Sequence, residues 1–160
     1  MFRVLLIAVW VAIVAAFCFA TVAPVFAMSE PHANAADVAS IKAGHHDCPH
    51  CQLAGADLSN TCVKHGNLEG ADFEGANAVL MCMSYANFTA VNFRNADLSG
   101  ANLAHAILDG ADFTNAKLAI TSFKGTDLTR AKGLTQRQLD EACGDADTKA
   151  PAGLSVHTCR

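Results

Sequence analysis

The densest run of side chains able to do chemistry is His45-His46-Asp47-Cys48-Pro49-His50-Cys51. Imidazole and thiolate are the ligand types that zinc and copper take, and three of one and two of the other fall within this stretch. A site here needs reduced thiols, because the thiolate is the ligand, or else a set built on His45, His46 and His50 alone. The competing reading is structural or partly oxidised cysteines beside surface histidines, and it is the expected one. Elsewhere no Ser-His-Asp order, phosphate-binding glycine loop or paired carboxylate stands out. No catalytic residue and no cofactor is therefore assigned. The metal reading, with His45, His46, Cys48, His50 and Cys51 as ligands, stays as the alternative.

Cys48-Pro49-His50-Cys51 resembles the active site of periplasmic thioredoxin-fold dithiol oxidants, where the first thiolate is stabilised at a helix N-terminus. The likeness is four residues long. No βαβ pattern surrounds it, and the next residues do not begin a helix. Redox catalysis is not expected.

Half of the chain is a repeat. From Cys51 to Arg130 it reads in fives without a slip: CQLAG ADLSN TCVKH GNLEG ADFEG ANAVL MCMSY ANFTA VNFRN ADLSG ANLAH AILDG ADFTN AKLAI TSFKG TDLTR. The third position is Leu or Phe in 13 of these 16 units, with Val63, Ala78 and Met83 as the exceptions, so it is the core position. The first is mostly Ala, and the second is mostly Asp or Asn. A period of five fits neither a helix face nor a strand face. It suits a chain that turns a corner in every unit, with Asp, Asn and Gly at the corners because they tolerate a left-handed backbone or bond their own main chain.

A longer period lies over the short one. Phe73, Phe93 and Phe113 lie 20 residues apart, as do Cys62 and Cys82. Four units per coil then give four stacked coils, about 19 Å tall at the ~4.8 Å spacing of neighbouring strands. The Phe ladder reads as core packing. His65 and His105 share a corner column two coils apart, about 10 Å, too far to share a metal without a third group.

The A-(D/N)-(L/F)-x-x unit resembles that of the pentapeptide-repeat family, over half of the chain. The resemblance implies an all-β solenoid, a right-handed quadrilateral β-helix of about four coils, with Leu/Phe and Ala columns inside; Cys51, at a first position, would then point inward. A family role as DNA mimics acting on topoisomerases would need stacked acidic columns. Here the second-position columns read Asp57, Asn77, Asp97, Lys117 and Gln52, Asp72, Asn92, Asp112, so a neutral residue separates each pair of aspartates. Four coils are also short for that role.

Residues 1–27 are set apart. Arg3 is their only charge, residues 4–22 carry none, and Val25-Phe26-Ala27 offers a small-x-small cleavage site, so the segment reads as a secretory signal peptide. The 19-residue apolar run is nearly long enough to span a bilayer, which leaves an uncleaved inner-membrane anchor at residues 4–22 as the alternative. Residues 28–50 read as a leader that covers the open first coil, with a short helix over 34–43 and Asn34 as its N-cap. Residues 51–130 form the β-helix. In residues 131–160 the period breaks at Lys132-Gly133-Leu134. Thr135 and Gln138 then form a capping box, and a helix over 136–143 runs until Gly144 stops it. The segment GLTQRQLDEACGD, succeeded by PAGL and a Cys near the chain end, resembles the closing segment of bacterial exported pentapeptide-repeat proteins, which implies a short C-terminal α-helical cap and names no catalyst.

Without residues 1–27, ten Lys and Arg face fifteen Asp and Glu, a net charge of −5 that argues against nucleic-acid binding. Six cysteines remain, and export favours disulfides. Cys143 with Cys159 pins the tail, and Cys62 with Cys82 joins adjacent coils at one slot. Residues 77–85 are the irregular place: Ala78 is small at a core position, Met81 and Met83 can refill its volume, and a bulge is most expected here. Fourth and fifth positions are outward and mostly polar or Gly, so Val79, Leu80 and Ile120 stand out as an apolar patch, with Gly100 leaving a gap between them. The reading is a non-enzymatic scaffold, periplasmic or secreted, presenting flat β-helix faces to an unidentified protein partner or to itself. Membrane contact is expected only if the signal segment stays. The alternative is a periplasmic zinc- or copper-binding protein using residues 45–51.

Overall fold

The unit Ala71–Gly75 shows why five residues make one side of a square. The Ala71 N–H donates to Leu68 O (3.1 Å) and closes a turn whose third residue, Gly70, has φ 63°. That is the pattern of a type II turn. The Asp72 N–H donates to Cys51 O of the coil before, and the Phe73 N–H to Asn92 O of the coil after, both at 2.8 Å. The Glu74 N–H faces no main-chain acceptor and donates instead to Asp72 Oδ1 (3.0 Å). The Gly75 N–H reaches Arg94 O (2.9 Å). Every donor of the unit has a partner, as the burial of main-chain groups demands.

The computed structural model describes residues 32–159. The expected signal segment and cleavage site, residues 1–27, lie outside the described residues. Parallel bridges link second positions twenty residues apart, from Gln52 with Asp72 through Asp112 with Lys132. The fifth position of each unit has a left-handed backbone from His50 to Gly125, and four such corners per coil make a quadrilateral β-helix. Pairing runs on through Lys132, so the coil ends two residues later than the sequence break implies. Asp and Asn do not occupy the left-handed corners as a rule. At second positions their side chains accept from the fourth-position N–H, as Asp57 does from Ser59, Asn87 from Thr89 and Asp112 from Thr114.

First- and third-position side chains fill the interior. Phe73, Phe93 and Phe113 follow one another at 5.2 and 5.3 Å between ring centroids, the first pair tilted and the second stacked, and all are fully buried. The expected bulge at residues 77–85 is absent. Ala78, Met81 and Met83 are fully buried, and the bridges Asn77–Asp97 and Cys62–Cys82 keep register. The unbranched methionines fill the volume that Ala78 leaves, so the backbone has no reason to bend.

Both ends are closed. At the first coil, helix α1 (Ala35–Lys42) is capped by Asn34, whose side chain accepts from the Ala36 N–H, and it buries Ile41 on the core. The Asn34 N–H donates to Gln52 O, and Asp37 Oδ2 accepts from the Gln52 N–H, so the cap takes up the exposed strand edge there. At the other end, helix α2 (Gln136–Glu141) starts with the Thr135–Gln138 capping box. The Gln138 side-chain amide also donates to Phe113 O and Ala116 O, both at 2.9 Å, and so takes up at Ala116 a carbonyl that a further coil would otherwise bond. The helix stops at Glu141, short of the expected Cys143. Ala142 is extended, because Cys143 pairs with Ser122 and must lie flat against the last coil.

The same bonds set the acid response. Hydrogen bonds from the Thr129 side chain and N–H, with Lys149 Nζ at 3.0 Å, hold the Asp127 carboxyl down at about 2 against an ordinary 3.8. Asp57, Asp97, Asp112 and Asp145 are lowered too; the hydrogen bond from Ser59 leads for Asp57, that from Thr114 for Asp112, and the Gly125 N–H for Asp145, while at Asp97 burial pushes upward and the bonds from Ser99 and Lys117 together outweigh it. A depressed carboxyl stabilises the fold fully above its unfolded value and loses that contribution as pH falls through its folded value. Thermal melts should therefore be level above pH ~4 and decline steadily towards pH ~2. Asp127→Asn should decline less over that interval, and an equal decline would remove Asp127 from the account.

Candidate functional site

The fifth-position corners are where outward side chains collect. Gly or Asn holds many of them, as a left-handed backbone favours. Leu80 (φ 57°), Tyr85 (φ 60°) and Ile120 (φ 60°) hold the same conformation, and a β-branched residue there is a true outlier. All three side chains face solvent: Leu80 is 59% exposed, Tyr85 54% and Ile120 80%. Val79 beside them is half-buried.

Leu80 and Ile120 lie in one column with Gly100 between them. The expected gap at Gly100 is not open. The Leu80 side chain leans across it, and a Cβ on Gly100 would come within 2.7 Å of Leu80 Cδ2. The column is thus a ridge and not a socket. At its lower end Ile120 forms one wall of an open cleft of about 420 Å³, lined also by Glu141, Ala142, Cys143, His157, Thr158 and Cys159.

A second column holds a feature that sequence motifs alone did not flag. Tyr85 sits between His65 and His105, with ring centroids 5.1 and 4.8 Å away and planes within 14° and 16° of parallel. Gly125 leaves room for the His105 ring beneath. The twenty-residue register already placed the three rings in one column; the signal lay in reading Tyr85 between the two histidines. Ile107, 54% exposed at a second position, is a further outward apolar residue, and its signal in the sequence is that the position is otherwise mostly polar.

The His/Cys stretch is built into the first coil. The Cys48 and His50 N–H groups donate to Asn67 O and Glu69 O, both at 2.8 Å, and Asp47 Oδ1 accepts from the Asn67 N–H. The His50 ring lies over Gly70, and the His46 carbonyl lies over Gly66. The five residues named as metal ligands do not gather as one set. Among the described residues the group of three close donor atoms is Asp37, Cys48 and Cys51, whose ligand atoms all lie within 4.8 Å of one another. Asp37 lies on α1, distant in sequence, and no local pattern pointed to it.

Among the described residues the six cysteines stand in three bonded pairs: Cys48–Cys51, Cys62–Cys82 and Cys143–Cys159, with Cα separations of 5.5, 4.5 and 4.9 Å. Cys51 is buried, at 4% exposure. Among the described residues no helix is long and apolar enough to cross a membrane.

A family model described as pentapeptide repeats matches residues 51–95, 82–119 and 96–132, in eight copies that together cover just over half of the chain. No curated protein matches the chain. Among solved structures, a pentapeptide repeat protein from Nostoc PCC 7120 is 22% identical, over 75% of this chain and 98% of that one, at a TM-score of 0.38. One from the thylakoid lumen of Arabidopsis thaliana is 24% identical over 60% of this chain and 59% of that one, with a TM-score of 0.31. QnrB1, a plasmid-mediated fluoroquinolone resistance protein, is 26% identical over 59% of this chain and 58% of that one, also at 0.31.

Backbone strain under an exposed apolar residue is testable directly. Ile120→Asn keeps the left-handed corner and removes the branched Cβ, so stability should rise by roughly 1 kcal/mol in denaturant unfolding. A loss of stability would mean that the Ile120 side chain contributes packing its exposure does not show.

Proposed function

The chain belongs to the pentapeptide-repeat family, whose fold is the right-handed quadrilateral β-helix, and from that premise we propose that it is a non-enzymatic exported scaffold that docks a protein partner, or a second copy, along its Leu80–Ile120 corner. One observation carries this reading. Two bulky apolar side chains stand exposed in a single column, each on a backbone conformation that disfavours it. Neither the strain nor the exposure stabilises the free protein, which is the mark of residues kept for contact. The cleft beside Ile120 extends the same surface towards the Cys143–Cys159 pair.

Leu80→Glu with Ile120→Glu tests the corner. Melting temperature should stay close to that of the parent protein while self-association or retention of the bound partner is lost. A collapse in stability would place both residues in the packing of the body and end the proposal.

Export is the second part of the reading. Its supports are the signal-like residues 1–27 and the six paired cysteines, which suit an oxidising compartment. Protein isolated from its own cells should begin at Met28 by intact-mass measurement and sit outside the cytoplasm. Retention of residues 1–27 in the membrane fraction would favour the anchor at residues 4–22, and a reduced cytoplasmic form would defeat export altogether.

A further inference from the structure

The cap over the first coil holds a group of donors that neither the repeat nor the scaffold role uses. Asp37 comes from α1, Cys48 from the segment laid over Asn67, and Cys51 from the first inward slot of the β-helix. Their ligand atoms lie within 4.8 Å of one another. Asp37 and Cys48 are half-buried, so the group is open on one side, and Cys51 closes it on the other. The Asp37 carboxylate is already oriented, since its Oδ2 accepts from the Gln52 N–H at 2.9 Å. Such outer hydrogen bonds fix a ligating carboxylate in place.

We propose that reduction of the Cys48–Cys51 bond converts this group into a zinc(II) site with Asp37, Cys48 and Cys51 as its three protein ligands. Two thiolates and a carboxylate suit zinc, with Zn–S near 2.3 Å and Zn–O about 2.0–2.2 Å, and a fourth position left to water. Ligand atoms around one such ion lie roughly 3.5–4 Å apart, a spacing that small side-chain rotations reach from the present one. Disulfide and metal exclude each other. A dithiol reductant breaks the Cys48–Cys51 bond, closes its own disulfide and leaves a proton on each cysteine sulfur. Zinc then displaces both protons to solvent as the thiolates bind. The ion and the disulfide each join Cys48 to Cys51, and the ion also ties α1 to the first coil through Asp37. Bound metal thus gives the reduced protein back the link between Cys48 and Cys51 that the disulfide supplied.

This site is separate from the scaffold reading, and it differs from a site made of His45, His46 and His50. Full-length protein, oxidised and reduced, is titrated with zinc, and cobalt(II) serves as the optical probe. The reduced protein should take up a single zinc ion with micromolar or tighter affinity, gain melting temperature with it, and show sulfur-to-cobalt charge transfer, while the oxidised protein shows none of these. Asp37→Asn keeps an oxygen for the Gln52 N–H and so should fold, yet weaken zinc binding by at least about tenfold. Cys48→Ser with Cys51→Ser should abolish the cobalt band, which also excludes the thiols of Cys62 and Cys82 as its source. Replacing His45, His46 and His50 with Ala should leave the affinity unchanged. Equal binding by oxidised protein, full affinity in Asp37→Asn, or loss in the histidine variant would each overturn the proposal.

Discussion

One hydrogen bond recurs down the solenoid and completes most of its corners. At each corner the chain reverses so tightly that the fourth-position N–H has no main-chain acceptor. The second-position Asp or Asn supplies one from two residues back, as in Asp72 with Glu74 and Asn92 with Arg94. The fifth residue then turns left-handed, as it does at every corner from His50 to Gly125, and the next inward residue falls one side further round. The same side chains also join coils. Asn77 donates to Asp57, Asn92 to Asp72 and Lys117 to Asp97, so the alternation of charged and neutral residues that dilutes the acidic columns is also what bonds them.

Where the second position is not Asp or Asn, something else holds the coil. Cys62 and Cys82 occupy that slot on adjacent coils of one face, and a covalent bond spans them. Further down the same face Ser122 pairs with Cys143, which is bonded to Cys159. The disulfides thus lie along one side of the body and pin its C-terminal tail. The Cys48–Cys51 pair is different in kind. It closes a loop within the cap, beside a carboxylate, and is tied to the rest by hydrogen bonds that survive its opening.

Departures from the repeat rule are concentrated on the outer surface. A left-handed corner wants Gly or Asn, and Asn60, Asn95 and Gly110 comply. Leu80, Tyr85 and Ile120 do not, and each presents apolar surface to solvent instead of core. Natural sequences are locally consistent except where another demand overrides stability. The absence of a bulge at residues 77–85 sharpens this point. The irregular unit is regular inside, through Met81 and Met83, and irregular only outside, where Leu80 and Tyr85 stand.

The sequence by itself determined the period, the inward columns, the coil count and both caps, because each repeats or carries a local signature: Leu or Phe at the third position, Asn34 before α1, Thr135 and Gln138 before α2. Periodicity is legible because every copy states the same physical requirement again. Contacts that occur once are not. Only the tertiary structure brought Asp37 to Cys48 and Cys51, since a helix and a coil meet there through one docking geometry with no repeat to announce it. It decided that Leu80 covers Gly100 in place of leaving a gap, because rotamer and corner conformation, not spacing, set where a side chain leans. It ended α2 at Glu141 because Cys143 had a partner in the last coil, and pairing across the fold outweighed the local tendency to continue the helix.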